Sequence, residues 1–333
     1  EWYIGGSFDL KMVKLMASYQ GQNDKNPANL DKIELNESVA YRSREYHEAA
    51  WPNDIIIGSK GNYINGWLIT GNDGKPYYYN VLCDRMALKY ARPRYEAEQE
   101  ENKARFIDTL TASGWRECYC EDHPMTRSES KEEKLKLLRY FSEECGLVLG
   151  SEDGMAAAVP YLHYSEGIMS ITGGYRLPDA GYNMSKIYEE APENILKFQV
   201  GHEYRIPLWE LVYHDCMVSY WYWGDYNNKI TSIWEKRDLF NVLYGTPPMY
   251  MFDYEFWKKN KERFMESYNM TAPVARDTGY SEMVDFRILT KDKSIQQSIF
   301  ANGITVTVNF GDTPYTLPDG TVIEPMGYNV KYE

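Results

Sequence analysis

The chain has 333 residues, 43% of them hydrophobic and 26% charged, with a formal net charge of −13. This balance excludes global disorder, and no run of about 18 apolar residues offers a membrane span. It also argues against a nucleic-acid surface, which needs clustered Lys and Arg.

The elements follow in chain order. Residues 9–19 carry Leu10, Met12, Val13, Leu15 and Met16 near helical spacing. Residues 35–46 fit neither period. Ile55, Ile56 and Ile57 form a β-branched run that reads as a strand, and Asn72-Asp73-Gly74-Lys75-Pro76 reads as a turn. Residues 77–83 are a second strand, ending at Asp84, and residues 95–103 are a charged helix face. Arg105 to Thr109 is an apolar strand that ends in Asp108. Residues 129–145 read as a helix, and residues 146–154 as another apolar strand that ends in Glu152 and Asp153.

Residues 172–183, rich in Gly and Pro, make a loop long enough to suggest function. Residues 206–225 are apolar and aromatic and strand-like, interrupted by His214-Asp215 and closing on Gly224-Asp225. A short helix is expected over residues 238–244, a strand over 248–252 and a helix over 254–270. Beyond Val284 the period becomes two: Ile304, Val306, Val308 and Phe310 alternate with polar residues, and Pro318-Asp319-Gly320 is a hairpin signal.

Strands alternating with helices and then strands alone predict an α/β fold: a (β/α)8 TIM-type barrel over residues 1–283, followed by a small antiparallel β-sandwich domain over 284–333. About six strand candidates, against the eight of a closed barrel, admit first strands upstream of Glu1.

In a barrel, functional side chains sit at the C-terminal ends of strands. Asp108, Glu152 and Asp153 all fall there. Two carboxyl groups facing across a gap are what glycosidic-bond hydrolysis requires: one attacks or activates water, and the other protonates the leaving oxygen. The same acids also suit helix caps and ion pairs. The 30 Tyr and 9 Trp, against 11 Phe, supply flat rings with polar tips. These fit sugar faces as well as they fit a Tyr-rich core. Cys83, Cys118, Cys120, Cys145 and Cys216 show neither a CxxC pair nor zinc spacing and read as mostly free and buried, and the five His contain no HExxH. No metal or other cofactor is therefore expected.

Phe106-Ile107-Asp108-Thr109, Asp122-His123-Pro124 and Gly150-Ser151-Glu152-Asp153-Gly154, together with the aromatic block over residues 205–225, resemble bacterial barrel glycosidases related to the endo-α-N-acetylgalactosaminidase family. The resemblance implies a retaining double displacement, with Asp108 as nucleophile and Glu152 as acid/base. It also implies an α-galactoside or α-N-acetylgalactosaminide substrate in oligo- or polysaccharides or glycoconjugates. The enzyme would work in the periplasm, at the cell surface or secreted, although no signal peptide stands in this chain. Asp153 departs from the pattern, since either acid of the pair can face the site.

Further candidate substrate contacts are Asp84, Trp115, His123, Arg127, Asp153, His214, Asp215, Trp221, Trp223 and Asp225. Each has a structural alternative. Asp84 suits a helix cap, Trp115 and the tryptophans at 221 and 223 suit packing, and Arg127 suits an ion pair. A non-catalytic carbohydrate-binding protein on the same scaffold is the competing function. A metal-dependent hydrolase is disfavoured because no His-rich ligand set exists.

Overall fold

The structure is a computed structural model describing residues 21–22, 53–70, 76–96, 103–168, 186–220 and 226–332. The chain divides into two units, Glu1–Leu162 and His163–Glu333. The expected helix over 9–19, the ambiguous stretch 35–46 and the long loop over 172–183 lie outside the described residues, as do Trp221, Trp223 and Asp225.

In the first unit, β1 (Gly21–Gln22), β2 (Asn65–Thr70) and β3 (Pro76–Asn80) form an antiparallel sheet in the order β1-β3-β2. The isoleucine run does not become a strand: Ile55 and Ile57 make single bridges to Leu82 and Tyr63. A 3-10 turn, Asp84–Met86, opens into α1 (Ala87–Glu96), earlier than the charge pattern suggests.

Next come β4 (Ala104–Ile107), α2 (Arg127–Arg139) and β5 (Val148–Asp153). The two strands pair in parallel, from Ala104 beside Val148 to Ile107 beside Ser151. Parallel pairing needs a crossover, and α2 supplies it. Thr126 starts that helix as a capping box: its hydroxyl accepts from the Glu129 amide, while the Glu129 carboxylate accepts from the Thr126 amide at 2.8 Å. A π-helical turn, Tyr140–Glu144, and Gly146 at φ 65° end it.

Leu137, Leu138 and Phe141 are buried, as are Phe106, Ile107 and Leu149 of the two strands. The guanidinium of buried Arg105 lies 4.8 Å from the Tyr95 ring centre and 4.7 Å from that of Phe141, a desolvated cation–π sandwich.

In the second unit, β6 (Tyr164–Gly167) and β7 (Val218–Ser219) form another parallel pair. The helices are α3 (Glu193–Phe198), α4 (Glu210–Tyr213), α5 (Trp234–Tyr244) and α6 (Tyr254–Thr278). Residues 248–252 are not a strand. Their backbone is bonded to side chains instead: Asn227 Oδ1 accepts from the Met249 amide at 3.1 Å, and Asn228 Oδ1 from the Met251 amide at 2.9 Å.

The C-terminal strands β8 (Met283–Ile288), β9 (Ile295–Phe300) and β10 (Ile304–Asn309) are followed by β11 (Tyr315–Thr316), β12 (Val322–Ile323) and β13 (Gly327–Tyr332). The antiparallel sheet runs β13-β10-β9-β8, and β11 pairs only with β12. Among the described residues this is one sheet with a small ribbon, not a sandwich. It does not bury a core of its own. Phe300, Val306, Val308 and Phe310 pack with Leu239, Phe240, Val242 and Leu243 of α5. That helix is enclosed because the sheet covers one side of it.

Helix α5 ends at Gly245, in the left-handed conformation at φ +66°. A Cβ there would lie 2.4 Å from Thr278 Oγ1, 2.8 Å from His214 Nε2 and 3.0 Å from the Phe300 ring. The glycine is needed for space as well as for conformation.

The described residues thus form an α/β chain with parallel strand pairs and a separate antiparallel sheet. They do not trace eight barrel strands. Removing the α2 cap with Thr126→Ala is expected to lower stability by about 1 kcal/mol, measured by urea denaturation.

Candidate active site

The register of β4 and β5 builds the site. Ile107 lies beside Ser151, so the next residues, Asp108 and Glu152, emerge together at the C-terminal ends of adjacent strands. Their carboxyl groups lie near enough for each to influence the other's titration. Ser151 Oγ donates to the Ile107 carbonyl at 2.5 Å, fastening the strands just before the acids.

The backbone then turns sharply. Thr109 adopts φ 59°, a left-handed conformation rare for a β-branched residue and concentrated at functional sites. The turn aims the Thr109 amide at Glu152 Oε2, 2.9 Å away. Two residues on, Thr111 Oγ1 accepts from the Asp153 amide at 2.9 Å.

Lys134 of α2 holds this loop from beneath. It is 3% exposed, and its ammonium donates to the Leu110 carbonyl at 3.0 Å and the Ser113 carbonyl at 3.1 Å. Burial lowers its pKa to about 8. The capping box, the helix, the buried ammonium and the loop form one chain of support that ends at Asp108.

The electrostatics follow from burial. Glu152 is 6% exposed. Desolvation, and then the neighbouring Asp108 charge, raise its pKa from 4.5 to about 8. Desolvation also raises that of Asp108, while the hydrogen bond from Glu152 opposes the rise. A value of about 8 favours the protonated form of Glu152 at neutral pH.

The other expected site residues that are described have varied surroundings. Trp115 is 42% exposed on the loop after β4, with Lys131 Nζ 5.8 Å from its ring centre. Arg127 pairs with Glu117 at 3.7 Å in the open. Asp84 packs on α2, where Ser130 Oγ donates to it at 2.5 Å.

His123 lies in the interior at 1% exposure, with Nε2 2.7 Å from the Asn53 carbonyl and Nδ1 3.4 Å from Cys118 Sγ. No ring nitrogen is left to face a cleft. His214 follows helix α4 rather than a strand, and its nitrogens lie 2.7 Å from the Ser281 carbonyl and 3.2 Å from that of Gly245. Asp215 is exposed.

The cysteines divide more evenly than expected: Cys83 and Cys118 are buried, Cys120 and Cys145 half-buried, Cys216 exposed. Sequence reasoning missed Thr109 and Lys134. No local pattern marks a threonine for the left-handed region, and a lysine in a charged helix reads as solvated.

Two acids brought together by adjacent parallel strands define a candidate hydrolase centre. The family model of glycosyl hydrolases related to the GH101 family, GH129, matches residues 39–188 and 186–299. The chain belongs to that glycosyl hydrolase family. Among solved structures it is similar to the α-N-acetylgalactosaminidase NagBb of Bifidobacterium bifidum. Against its GalNAc complex the identity is 23% and the TM-score 0.58, over 84% of this chain and 39% of that one. Against a quadruple mutant the identity is 22% and the TM-score 0.60, over 89% and 44%. This chain thus spans about two fifths of the structures it matches. No curated protein matches it.

The raised Glu152 pKa has a consequence for stability. The folded state holds a proton that the unfolded chain releases near 4.5. Its stabilisation is complete below that pH and is lost as pH rises through about 8. Stability should therefore fall between these values, with a slope approaching about 1.4 kcal/mol per pH unit for one proton. Glu152→Gln should flatten that slope in urea denaturation at a series of pH values.

Proposed function

We propose that the chain carries the catalytic pair of a retaining glycoside hydrolase. Asp108 attacks the anomeric carbon, and Glu152 protonates the departing oxygen. Glu152, now a carboxylate, then takes a proton from the water that releases the sugar from Asp108. One observation carries this reading: the register of β4 and β5 brings two buried acids out side by side, with the pKa of Glu152 raised to about 8 by burial and by the Asp108 charge. The assignment needs a protonated acid beside the nucleophile, and the raised pKa of Glu152 favours that form.

Retention also suits the closeness of the pair. Retaining enzymes space their carboxyls about 5–5.5 Å apart, and inverting enzymes roughly 6.5–9.5 Å to admit a water. Acids on directly adjacent strands, one residue beyond the Ile107–Ser151 pair, favour the shorter of these spacings. The Thr109 amide, 2.9 Å from Glu152 Oε2, holds the acid in place.

An α-linked N-acetylgalactosaminide, or an α-galactoside, is the proposed substrate, in line with the activity named for the structural relative. Trp115, exposed on the loop after Asp108, is the proposed stacking surface. Asp153 and Arg127 are proposed polar contacts. The periplasm, the cell surface or the exterior of the cell is the proposed place of work.

Asp108→Asn and Glu152→Gln should each lower hydrolysis of an aryl α-N-acetylgalactosaminide by about 10²-fold or more while circular dichroism stays unchanged. NMR of the first-formed sugar should show the α-anomer. Activity surviving in either variant would overturn the roles, and a β-anomer would overturn retention. Sugar binding by the wild-type chain without turnover would make it a carbohydrate-binding protein instead.

A further inference from the structure

Cys83, Cys118 and His123 are all buried, and one donor atom from each lies within 4.8 Å of the others. They come from two segments. Cys83 follows the bridge between Ile55 and Leu82. Cys118 and His123 share a short loop closed by paired backbone bonds between Cys118 and Met125, at 2.7 and 3.0 Å. Spacings of this kind make no sequence motif, so folding alone assembles the cluster.

We propose that Cys83 Sγ, Cys118 Sγ and His123 Nδ1 bind a zinc ion, which staples the loop after the Asp108 strand to the segment before α1. Three observations converge on it. The first is geometry. Zinc bonds of about 2.3 Å to sulfur and about 2.0–2.1 Å to nitrogen, at tetrahedral angles, place S···N near ~3.5 Å and S···S near ~3.8 Å. Cys118 Sγ and His123 Nδ1 are 3.4 Å apart. Met125 Sδ lies 3.9 Å from Cys83 Sγ, at a fourth corner that the thioether or a water can fill.

The second is the imidazole tautomer. The Asn53 carbonyl, 2.7 Å from Nε2, can only accept, so Nε2 carries the hydrogen and Nδ1 turns a lone pair toward the sulfurs. A carbonyl behind a histidine is the usual support of a metal ligand. The Ile57 amide likewise points at Cys118 Sγ at 3.4 Å, a donor suited to a thiolate.

The third is charge. The cluster packs among Ile56, Val81 and Met125, where a net charge is costly. Two thiolates and one Zn(II) sum to zero, whereas Cu(I) would leave a buried negative charge. Binding releases the two thiol protons to solvent.

The test is elemental analysis of the 333-residue chain, expressed with added zinc and purified without chelator. About one zinc per chain is expected. It should be lost in Cys83→Ser, Cys118→Ser and His123→Ala, and kept in Cys216→Ser, whose thiol is exposed. Because a cluster variant can fail to fold, the wild-type chain is also stripped with a chelator and refilled. Zinc should then raise the melting temperature by on the order of 5 °C and shield two thiols from alkylation. A wild-type chain that takes up no zinc, or a Cys83–Cys118 disulfide in the non-reduced peptide map, would overturn the proposal. Selective uptake of copper would overturn the assignment to zinc.

Discussion

Two carboxyl groups buried against each other cannot both be charged, and the first unit is organised around that constraint. Asp108 and Glu152 meet because β4 and β5 run parallel in a register that sets Ile107 beside Ser151. Shifting either strand by one residue would turn its acid to the opposite face. Everything nearby resists that slip. The Ser151 hydroxyl bonds across the strands, Arg105 is clasped between two rings, and Lys134 ties down the loop beyond Asp108.

The burial that creates the site therefore also sets its chemistry. A solvent-exposed pair of acids would both ionise at neutral pH and repel. Here desolvation keeps a proton on Glu152, and the Thr109 amide limits how far its pKa can rise. Belonging to a glycosyl hydrolase family gives this arrangement its natural reading. The strained turn at Thr109 fits the same picture, with unfavourable backbone held where its amide points at Glu152.

The parts that were legible in the sequence are those written in local pattern. An apolar run ending in an acid, a charged helix and a second such run are visible in the residues between Arg105 and Asp153, and the structure joins them as β4, α2 and β5. The period-two signal after Val284 likewise becomes β9 and β10. Less was visible where tertiary context decides. Residues 248–252 look like a strand, but their partners are the side chains of Asn227 and Asn228. His214 looks like the end of a strand but sits behind a short helix, and His123 looks like a loop residue but is interior. The C-terminal strands show their alternation plainly. Nothing in it tells that their inner face closes over α5.

Gly245 carries a consequence beyond its own turn. The missing side chain is the space in which His214, Thr278 and Phe300 meet, so the end of one helix, the tail of another and a strand of the sheet are fitted around a single absent methyl. A methyl cannot be added there unless all three neighbours withdraw together. Across the relatives of this chain, residues at positions 214, 245, 278 and 300 should accordingly covary as a set, and a lone exchange among them should be rare.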